Sequence, residues 1–473
     1  MSPARLRAGF AVLLLAMLLA MLDTTVVGTA MPTIVAELGG LRELAWVVTA
    51  YTLTTAASTP IWGKLGDLYE RKAVHLIAIG IFTVASVACG LAQDMAQLIA
   101  FRAVQGLGAG GLTVGALSLI GTLVPPRDRG RYQGMTASVM AAAQIGGPLF
   151  GGVVTTLLGW RWTFYLNLPL GLLVFVATAV VLVVPSTPRR PVRLDLTGAS
   201  LLTVAITALL LFTSATGRPD VPLPAGVLLA VAAVAVALFV LVERRSPEPV
   251  LPLNLFQHRN IVLTAVIIFV VGVVSYGVVT FVPLFQQTVQ GASASGSGTL
   301  LLPMTAAVVV ASQLAGRRSS RTGRYKLFPM LGTGCLTAGC AVLATGRADT
   351  PVVVTSLALV LIGFGLGFST QMITLIAQNT VPVKEIGVAT ATTTMFRTIG
   401  GAVGTSVFGA LLAASMASAH PLTNGVVQGE ARIFAAASVV GVVGFVAACR
   451  VREDALRRAI VPVGAAERRT AAA

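Results

Sequence analysis

Asp23 is the residue whose position in this sequence most directly suggests chemistry. It lies within the apolar run from Gly9 to Ala30, which is long enough to cross a bilayer. The other acidic residues lie in segments that connect the apolar runs, or in the tails. A carboxylate at membrane depth is costly, so it is rare and usually functional. We therefore predict that Asp23 carries a proton.

Composition places the chain among multi-pass membrane proteins. Of its 473 residues, 56% are hydrophobic and 11% are charged, and the mean hydropathy is +0.88. Soluble proteins carry about 25% charged residues. The four cysteines lie in apolar runs, and no Cys/His cluster follows metal-ligand spacing. We predict no metal, no cofactor and no enzymatic activity.

Fourteen apolar runs of membrane length divide the chain. They are 9–30, 45–63, 73–92, 98–124, 134–158, 162–184, 196–215, 222–242, 260–284, 296–316, 327–346, 351–373, 387–416 and 433–449. Most of the 33 Lys and Arg residues lie in alternate connecting segments. Such a bias marks the cytoplasmic side. We predict an all-α protein in the cytoplasmic (inner) membrane, with both termini cytoplasmic, and no role for the net charge of +16 in binding nucleic acid.

The runs group into two sets of six with an inserted pair. The predicted units are an N-terminal bundle (1–184), a connector with two inserted helices (185–254), a C-terminal bundle (255–450) and a cytoplasmic tail (451–473). The basic segment GKLGDLYERK in the first bundle has a counterpart, AGRRSSRTGRYK, at the equivalent place in the second. This weak internal repeat is typical of a two-bundle transporter.

Two arginines also fall inside apolar runs. The alternating helix directions place Arg102 at a depth similar to that of Asp23, so we predict that they pair, directly or through water and Gln105. A static structural ion pair is the alternative. Arg397 has no acid in the last six runs. Its charge is therefore met by carbonyl groups, water, Asp23 across a central cavity, or an anionic group of a substrate.

Five segments carry a family resemblance. They are LDTTVVGTAMPTI, GKLGDLYERK, FRAVQGLGAGG, AQIGGPLFGG and GWRWTFYLNLPLG, in this order. With them the chain resembles the major facilitator superfamily, and within it the fourteen-helix drug/proton antiporters of the EmrB/QacA-like group. The resemblance implies two six-helix bundles plus two extra helices. FRAVQGLGAGG also satisfies GxGxxG, but it lies in an apolar helix and not after a strand, which argues against a nucleotide site. The absence of a Walker A motif favours an ion gradient as the energy source.

Two of these segments imply gating residues. In the loop segment, Glu70 stands where the family usually has glycine, and the resemblance implies that the loop latches onto neighbouring helix ends and holds the outward-facing state. In AQIGGPLFGG, the glycines allow close helix approach and the proline bends the helix. Charges that only set topology, and glycines that only pack a tight bundle, are the alternatives. The predicted gating residues are Gly63, Asp67, Arg71, Lys72, Gly147, Pro148, Gly151 and Gly152.

Polar residues on apolar helices are candidates for a substrate cavity. They are Gln105, Gln144, Tyr276, Gln371 and Arg397. The predicted function is proton-coupled efflux of amphipathic or hydrophobic small molecules, such as drugs, dyes or an antibiotic, by a monomer that works by alternating access. The alternatives are a dedicated exporter of one endogenous metabolite or siderophore and a membrane sensor without transport activity.

Overall fold

The described part of the chain is helical throughout. The computed structural model describes residues 3–40, 43–184, 195–215, 223–292, 294–418, 422–453 and 456. The α-helices are α1 Pro3–Leu38, α2 Leu44–Leu68, α3 Arg71–Leu91, α4 Met95–Leu123, α5 Pro126–Leu158, α6 Arg161–Tyr165, α7 Asn167–Val181, α8 Leu196–Ala215, α9 Ala225–Glu243, α10 Arg259–Thr288, α11 Ala294–Leu300, α12 Leu302–Thr322, α13 Leu327–Ala344, α14 Val352–Thr380, α15 Ile386–Ser418 and α16 Leu422–Arg450. Two 3₁₀ turns, Leu253–Gln257 and Val383–Glu385, precede α10 and α15.

Thirteen helical stretches in the described residues are long and apolar enough to cross a membrane. The short helix α6 and helix α7 together form one of them, Arg161–Val181. Helix α2 adds a further helix of 25 residues, whose hydroxyl side chains lower its hydropathy. The predicted all-α, multi-pass membrane fold is confirmed.

The last helix differs from its apolar run. Helix α16 begins at Leu422, although the run begins at residue 433, so Glu430 lies inside a membrane-length helix. The prediction that the last six helices contain no acid is therefore wrong. An apolar run measures side-chain hydropathy, whereas a helix continues wherever its backbone hydrogen bonds are made, including through polar residues.

The helices pack as two bundles joined by an inserted pair. In the N-terminal bundle, α4 packs against α2 and α3, and α1 packs against α5. In the C-terminal bundle, α10 packs against α15, and α13 packs against α14 and α16. Helices α8 and α9 pack against each other, and α8 contacts both α2 and α15. The inserted pair therefore borders both bundles.

The two bundles meet through α5 with α12 and through α2 with α15. We call the side of the molecule where α1, α10 and α15 begin and α2 ends the lower face, and the opposite side the upper face. Lys64 near the end of α2 donates to Glu248, in the segment that leads to α10. Helix α16 ends at the lower face, because the backbone N–H of Arg452 donates to Asn260 near the start of α10. Its start, and with it Glu430, therefore lies toward the upper face.

Candidate functional site

Three side chains enclose the carboxylate of Asp23 in the N-terminal bundle. Nη1 of Arg102 on α4 donates to Asp23 Oδ2 at 2.5 Å. Nε2 of Gln105, one turn further along α4, donates to Asp23 Oδ1 at 2.8 Å. Nδ2 of Asn167, the first residue of α7, donates to the same oxygen at 2.8 Å. Both carboxylate oxygens are therefore bound to donors from two other helices.

A further layer of contacts orients these donors. Arg102 Nη1 also donates to Oε1 of Gln105 at 2.8 Å, and the guanidinium lies 4.0 Å from the ring centroid of Tyr51 on α2. Asn167 Nδ2 donates to the hydroxyl of Ser86 on α3 at 2.9 Å. Asp23 is 2% exposed and Arg102 is 1% exposed. The ion pair is thus sealed inside the bundle, where the loss of either partner would leave an uncompensated charge.

The predicted pairing of Asp23 with Arg102 is direct, with no bridging water required. Gln105 is fully buried and binds Asp23, so it does not line the cavity where we had expected it. The helical spacing of Arg102 and Gln105 explains this, because residues three apart share a face and reach the same carboxylate. Ser86 was not expected at this site. The only sequence signal for it is a hydroxyl group in an otherwise apolar helix.

Helix α1 packs closely against α5 beside this ion pair. The Cα of Gly147 faces the side chain of Thr25, and Gly151 faces Thr29 and the backbone of Val26. A Cβ atom added at Gly147 would overlap the hydroxyl of Thr25. The Thr25 hydroxyl also donates to the carbonyl of Ala143 at 3.2 Å.

The other two predicted residues of this segment lie on a different side of α5. A Cβ atom added at Gly152 would meet nothing within 4 Å, and Pro148 is exposed. Close packing on α1 therefore involves Gly147 and Gly151 alone among the four.

Asp67 joins the two bundles at the lower face. Its carboxylate accepts hydrogen bonds from the backbone N–H groups of Gly387 at 2.9 Å and Val388 at 2.8 Å, in the first turn of α15. A carboxylate is favoured at a helix N-terminus because the N–H groups there carry partial positive charge. Arg71 Nη2 donates to Asp67 at 2.6 Å and to the carbonyl of Val383 at 2.7 Å. We call this set of contacts the Asp67 latch.

The other residues of this segment occupy different places. Gly63 faces α15 so closely that an added Cβ would lie 2.6 Å from Cβ of Ala391 and 2.7 Å from the carbonyl oxygen of Gly387. Lys72 donates to the carbonyl of Ala179 on α7, within its own bundle, at 2.6 Å. Gly63 thus lies at the contact between the bundles, and Lys72 does not.

A second set of contacts closes the lower face between α5 and α12. Arg127 donates to the carbonyl groups of Ser320 at 3.1 Å and Arg321 at 2.8 Å, in the last turn of α12. Arg129 is buried and donates to the carbonyl of Gln378 at 3.5 Å, near the end of α14. Cations are favoured at helix C-termini. From the sequence these arginines were interpreted only as topology signals.

A central cavity lies between the bundles. Its lining residues are Met17, Thr113, Leu117, Thr136, Met140, Ile268, Thr370, Gln371, Thr374, Thr393, Thr394 and Arg397. Arg397 is the only charged residue in this lining. Among the described residues, none forms a salt bridge with its guanidinium, and Asp23 is occupied by Arg102. Gln371 accepts a hydrogen bond from Thr136 across the bundle boundary at 3.3 Å.

A larger cleft lies further toward the upper face, between α2, α8, α10 and α15. Tyr276 lies in its wall, together with Thr49, Thr52 and Thr405. Gln144 is exposed on α5 but lines neither of these two spaces. The predicted cavity residues are therefore divided between two spaces, the Asp23 site and the surface.

Comparison with known proteins identifies the family. The family model of the Major Facilitator Superfamily matches residues 13–405. An uncharacterised MFS-type transporter of Mycobacterium tuberculosis is 41% identical over 413 residues, which cover 87% of this chain and 60% of that protein. This chain thus spans about three fifths of the length of that relative. The multidrug transporter protein MdtP of Bacillus subtilis is 36% identical over 409 residues, covering 85% of this chain and 74% of MdtP.

The fold agrees with solved structures. The crystal structure of the human organic anion transporter MFSD10 superimposes with a TM-score of 0.69, covering 95% of this chain and 100% of that one at 14% sequence identity. At this identity the likeness concerns the fold alone. The family match and the arrangement of two bundles lead to one conclusion: this chain belongs to the major facilitator superfamily of membrane transporters.

Proposed function

We propose that the protein exports amphipathic small molecules in exchange for protons, within the fourteen-helix drug/proton antiporter group. The observation that carries this proposal is the enclosed carboxylate of Asp23, held by Arg102, Gln105 and Asn167. A structural role alone does not require an ion pair in the membrane, because well-packed apolar residues are often as stable. A carboxylate whose charge is balanced by one cation is well suited to exchange that partner for a proton.

The lower face is cytoplasmic in this proposal. Many of the basic residues lie there, as the bias of basic residues toward the cytoplasm requires. Asp67 and Arg71 hold α2 against α15, and Arg127 holds α5 against α12. With this side closed and a cleft toward the upper face, the conformation corresponds to an outward-facing transporter. Proton uptake by Asp23 from outside then precedes opening of the cytoplasmic side.

Helix α5 provides a physical connection between the proton site and the lower face. A proton on Asp23 weakens its bond to Arg102 and releases α1 from α4. Helix α1 is packed without a gap on α5 at Gly147, so α5 has to follow its movement. The start of α5 carries Arg127, whose bonds to the end of α12 hold the lower face closed. Movement of α5 along this path would break those bonds.

The central cavity suggests the substrate class. Its wall combines methionine and aliphatic side chains with several threonines, Gln371 and the guanidinium of Arg397. An apolar pocket with a few polar groups suits amphipathic molecules. One cation in the lining, with no acid beside it, favours neutral or anionic compounds over multiply charged cations. We propose that Arg397 contacts the substrate directly.

Transport by purified protein in proteoliposomes tests the proposal. An imposed pH gradient should drive uphill accumulation of neutral or anionic amphipathic compounds, and a protonophore should abolish it. Replacement Arg397→Ala should reduce transport of anionic compounds more than that of neutral ones. Transport that is unaffected by the gradient for every compound would refute antiport. Transport of one compound only would indicate a dedicated exporter. Transport by proteoliposomes that contain at most one copy of the protein per vesicle checks whether the monomer is active.

A further inference from the structure

Glu430 is a buried acid of the C-terminal bundle that the proposed function does not use. It lies on α16 about 12 Å along the helix axis from Leu422, at 1.5 Å per residue. The residue is 6% exposed, and its Oε1 atom has no hydrogen-bond partner among the described residues. Asp23, in contrast, has a donor on each oxygen. Glu430 therefore lacks the contacts that would make it a structural link.

The acid borders a small cavity near the upper face. Its lining residues are Phe285, Val342, Leu343, Gly346, Thr350, Val354, Thr355 and Glu430. The space offers only about 10 Å³ to the centres of water-sized molecules. It has room for about one water molecule and not for an amphipathic substrate. Two of the lining residues, Gly346 and Thr350, belong to the loop between α13 and α14, so the cavity lies close to the aqueous phase.

A buried acceptor is available beside this cavity. Gln290, just beyond α10, donates through Nε2 to the carbonyl of Thr350 and the hydroxyl of Thr355, both at 3.2 Å. Its Oε1 is buried and has no partner among the described residues. A protonated carboxyl group is a donor, whereas a carboxylate only accepts. The cavity that Glu430 borders thus has an unpaired acceptor next to two of its lining residues, Thr350 and Thr355.

The charged groups of the neighbouring elements are directed elsewhere. Arg432 on α16 donates to the hydroxyl of Ser415 on α15. Arg347 and Asp349, in the loop that contributes to the cavity wall, are exposed. In the described part of α10, α13 and α15, no side chain forms a salt bridge with Glu430. A charged carboxylate without a partner costs far more to bury than its neutral form does.

We propose that Glu430 is a second proton-binding site, separate from Asp23 and reached from the upper face. This inference rests on proton-coupled export and adds a second proton to each transport cycle. Glu430 binds this proton when the C-terminal bundle has the conformation described here, and releases it when movement of α10 against α16 admits water or a cation. The step is a proton transfer alone, so no covalent bond to carbon changes and nothing is oxidised or reduced.

The number of protons per substrate tests the second site. With a neutral substrate, zero membrane potential and a pH difference of about one unit, one coupled proton supports about tenfold accumulation and two support about hundredfold. We expect about hundredfold for the wild type and about tenfold for Glu430→Gln. Asp349→Asn, the same change on an exposed acid of the adjacent loop, should leave the value at about hundredfold. An unchanged value in Glu430→Gln, or about tenfold accumulation by the wild type, would overturn the second site but leave coupling through Asp23 intact.

Infrared difference spectroscopy of the purified protein between acidic and alkaline buffer provides an independent measurement. A band from buried protonated carboxyl groups should be present in the wild type and in Asp349→Asn, and should be weaker in Glu430→Gln, where only the contribution of Asp23 remains. Its presence in Glu430→Gln at full intensity would refute the proposal even if transport is lost in that variant. A wild type without gradient-driven transport refutes the proposed function instead, and the spectrum then decides alone whether Glu430 binds a proton.

Discussion

The two bundles share an architecture but surround their buried charges differently. In the N-terminal bundle, Asp23 and Arg102 satisfy each other, and Gln105 and Asn167 complete the hydrogen bonding. In the C-terminal bundle, no described residue pairs with Glu430. Arg397 is the only charged residue that lines the central cavity. A paired charge stabilises one conformation, whereas an ionisable group without a fixed partner is available to bind a proton or a substrate. The comparison suggests that the paired charges of the first bundle stabilise the conformation described here. The unpaired groups of the second bundle are available to bind a proton and a substrate.

Replacement of Arg102 and of Arg397 should reveal the largest difference between the bundles, measured as the loss of stability in each variant. Arg102→Ala leaves Asp23 as a buried charge without its cation, which typically costs about 3–5 kcal/mol. Arg397→Ala removes a group without a salt bridge and should change the free energy of unfolding by less than about 1 kcal/mol. Denaturant unfolding in micelles measures both. Equal destabilisation by the two replacements would contradict the contrast between the bundles.

The contact between α1 and α5 offers a matched pair of glycines within the first bundle. Gly147→Ala forces a methyl group into Thr25 and should lower the free energy of unfolding by about 1–3 kcal/mol, as overpacking does. Gly152→Ala enters open space and should be nearly neutral. Unfolding in micelles and the transport rate are the measurements. If both variants behave alike, α1 does not control the position of α5 through this contact.

Loss of the Asp67 latch should have a smaller effect, which is a shift in the equilibrium between the closed and the open lower face. Asp67→Asn removes the negative charge at the start of α15, and such a charge typically contributes about 0.3–1 kcal/mol. A cost of about 1 kcal/mol shifts an equilibrium about fivefold toward the state with an open lower face. Alkylation of Ser319→Cys, buried against α5 at that face, should accelerate accordingly in a chain without its native cysteines.

The control for this measurement is Asp128→Asn, which changes an exposed acid in the first turn of α5. It should leave the alkylation rate close to that of the parent chain. An equal acceleration by Asp67→Asn and Asp128→Asn would mean that the lower face responds to its total charge and not to the contact with α15.

Much of the Asp23 site could be predicted from the sequence, because membrane helices have a fixed rise and alternate in direction. These two facts place Arg102 at the depth of Asp23 before any packing is known. They do not give rotation about the helix axis. Rotation decides that Gln105 turns to Asp23 and away from the cavity, and that Lys72 bonds to α7 and not to α15.

The residues whose roles the sequence does not predict are missed for a different reason. Glu430 was assigned to a loop because the polar residues around it end the apolar run, yet the helix starts at Leu422. Arg127 and Arg129 fit the cytoplasmic charge bias, which predicts no further role for them. Their contacts with the ends of α12 and α14 depend on how the two bundles dock. Docking between distant parts of a chain is not encoded in local periodicity.

Gradient-driven transport by Asp23→Asn tests the central claim most directly. Asparagine keeps the size of the side chain but cannot release a proton, so proteoliposomes with this variant should lose all uphill accumulation driven by the pH gradient. Exchange of labelled for unlabelled substrate should continue, because that reaction needs no net proton movement. If Asp23→Asn still accumulates substrate against its gradient as the wild type does, Asp23 is not the coupling site.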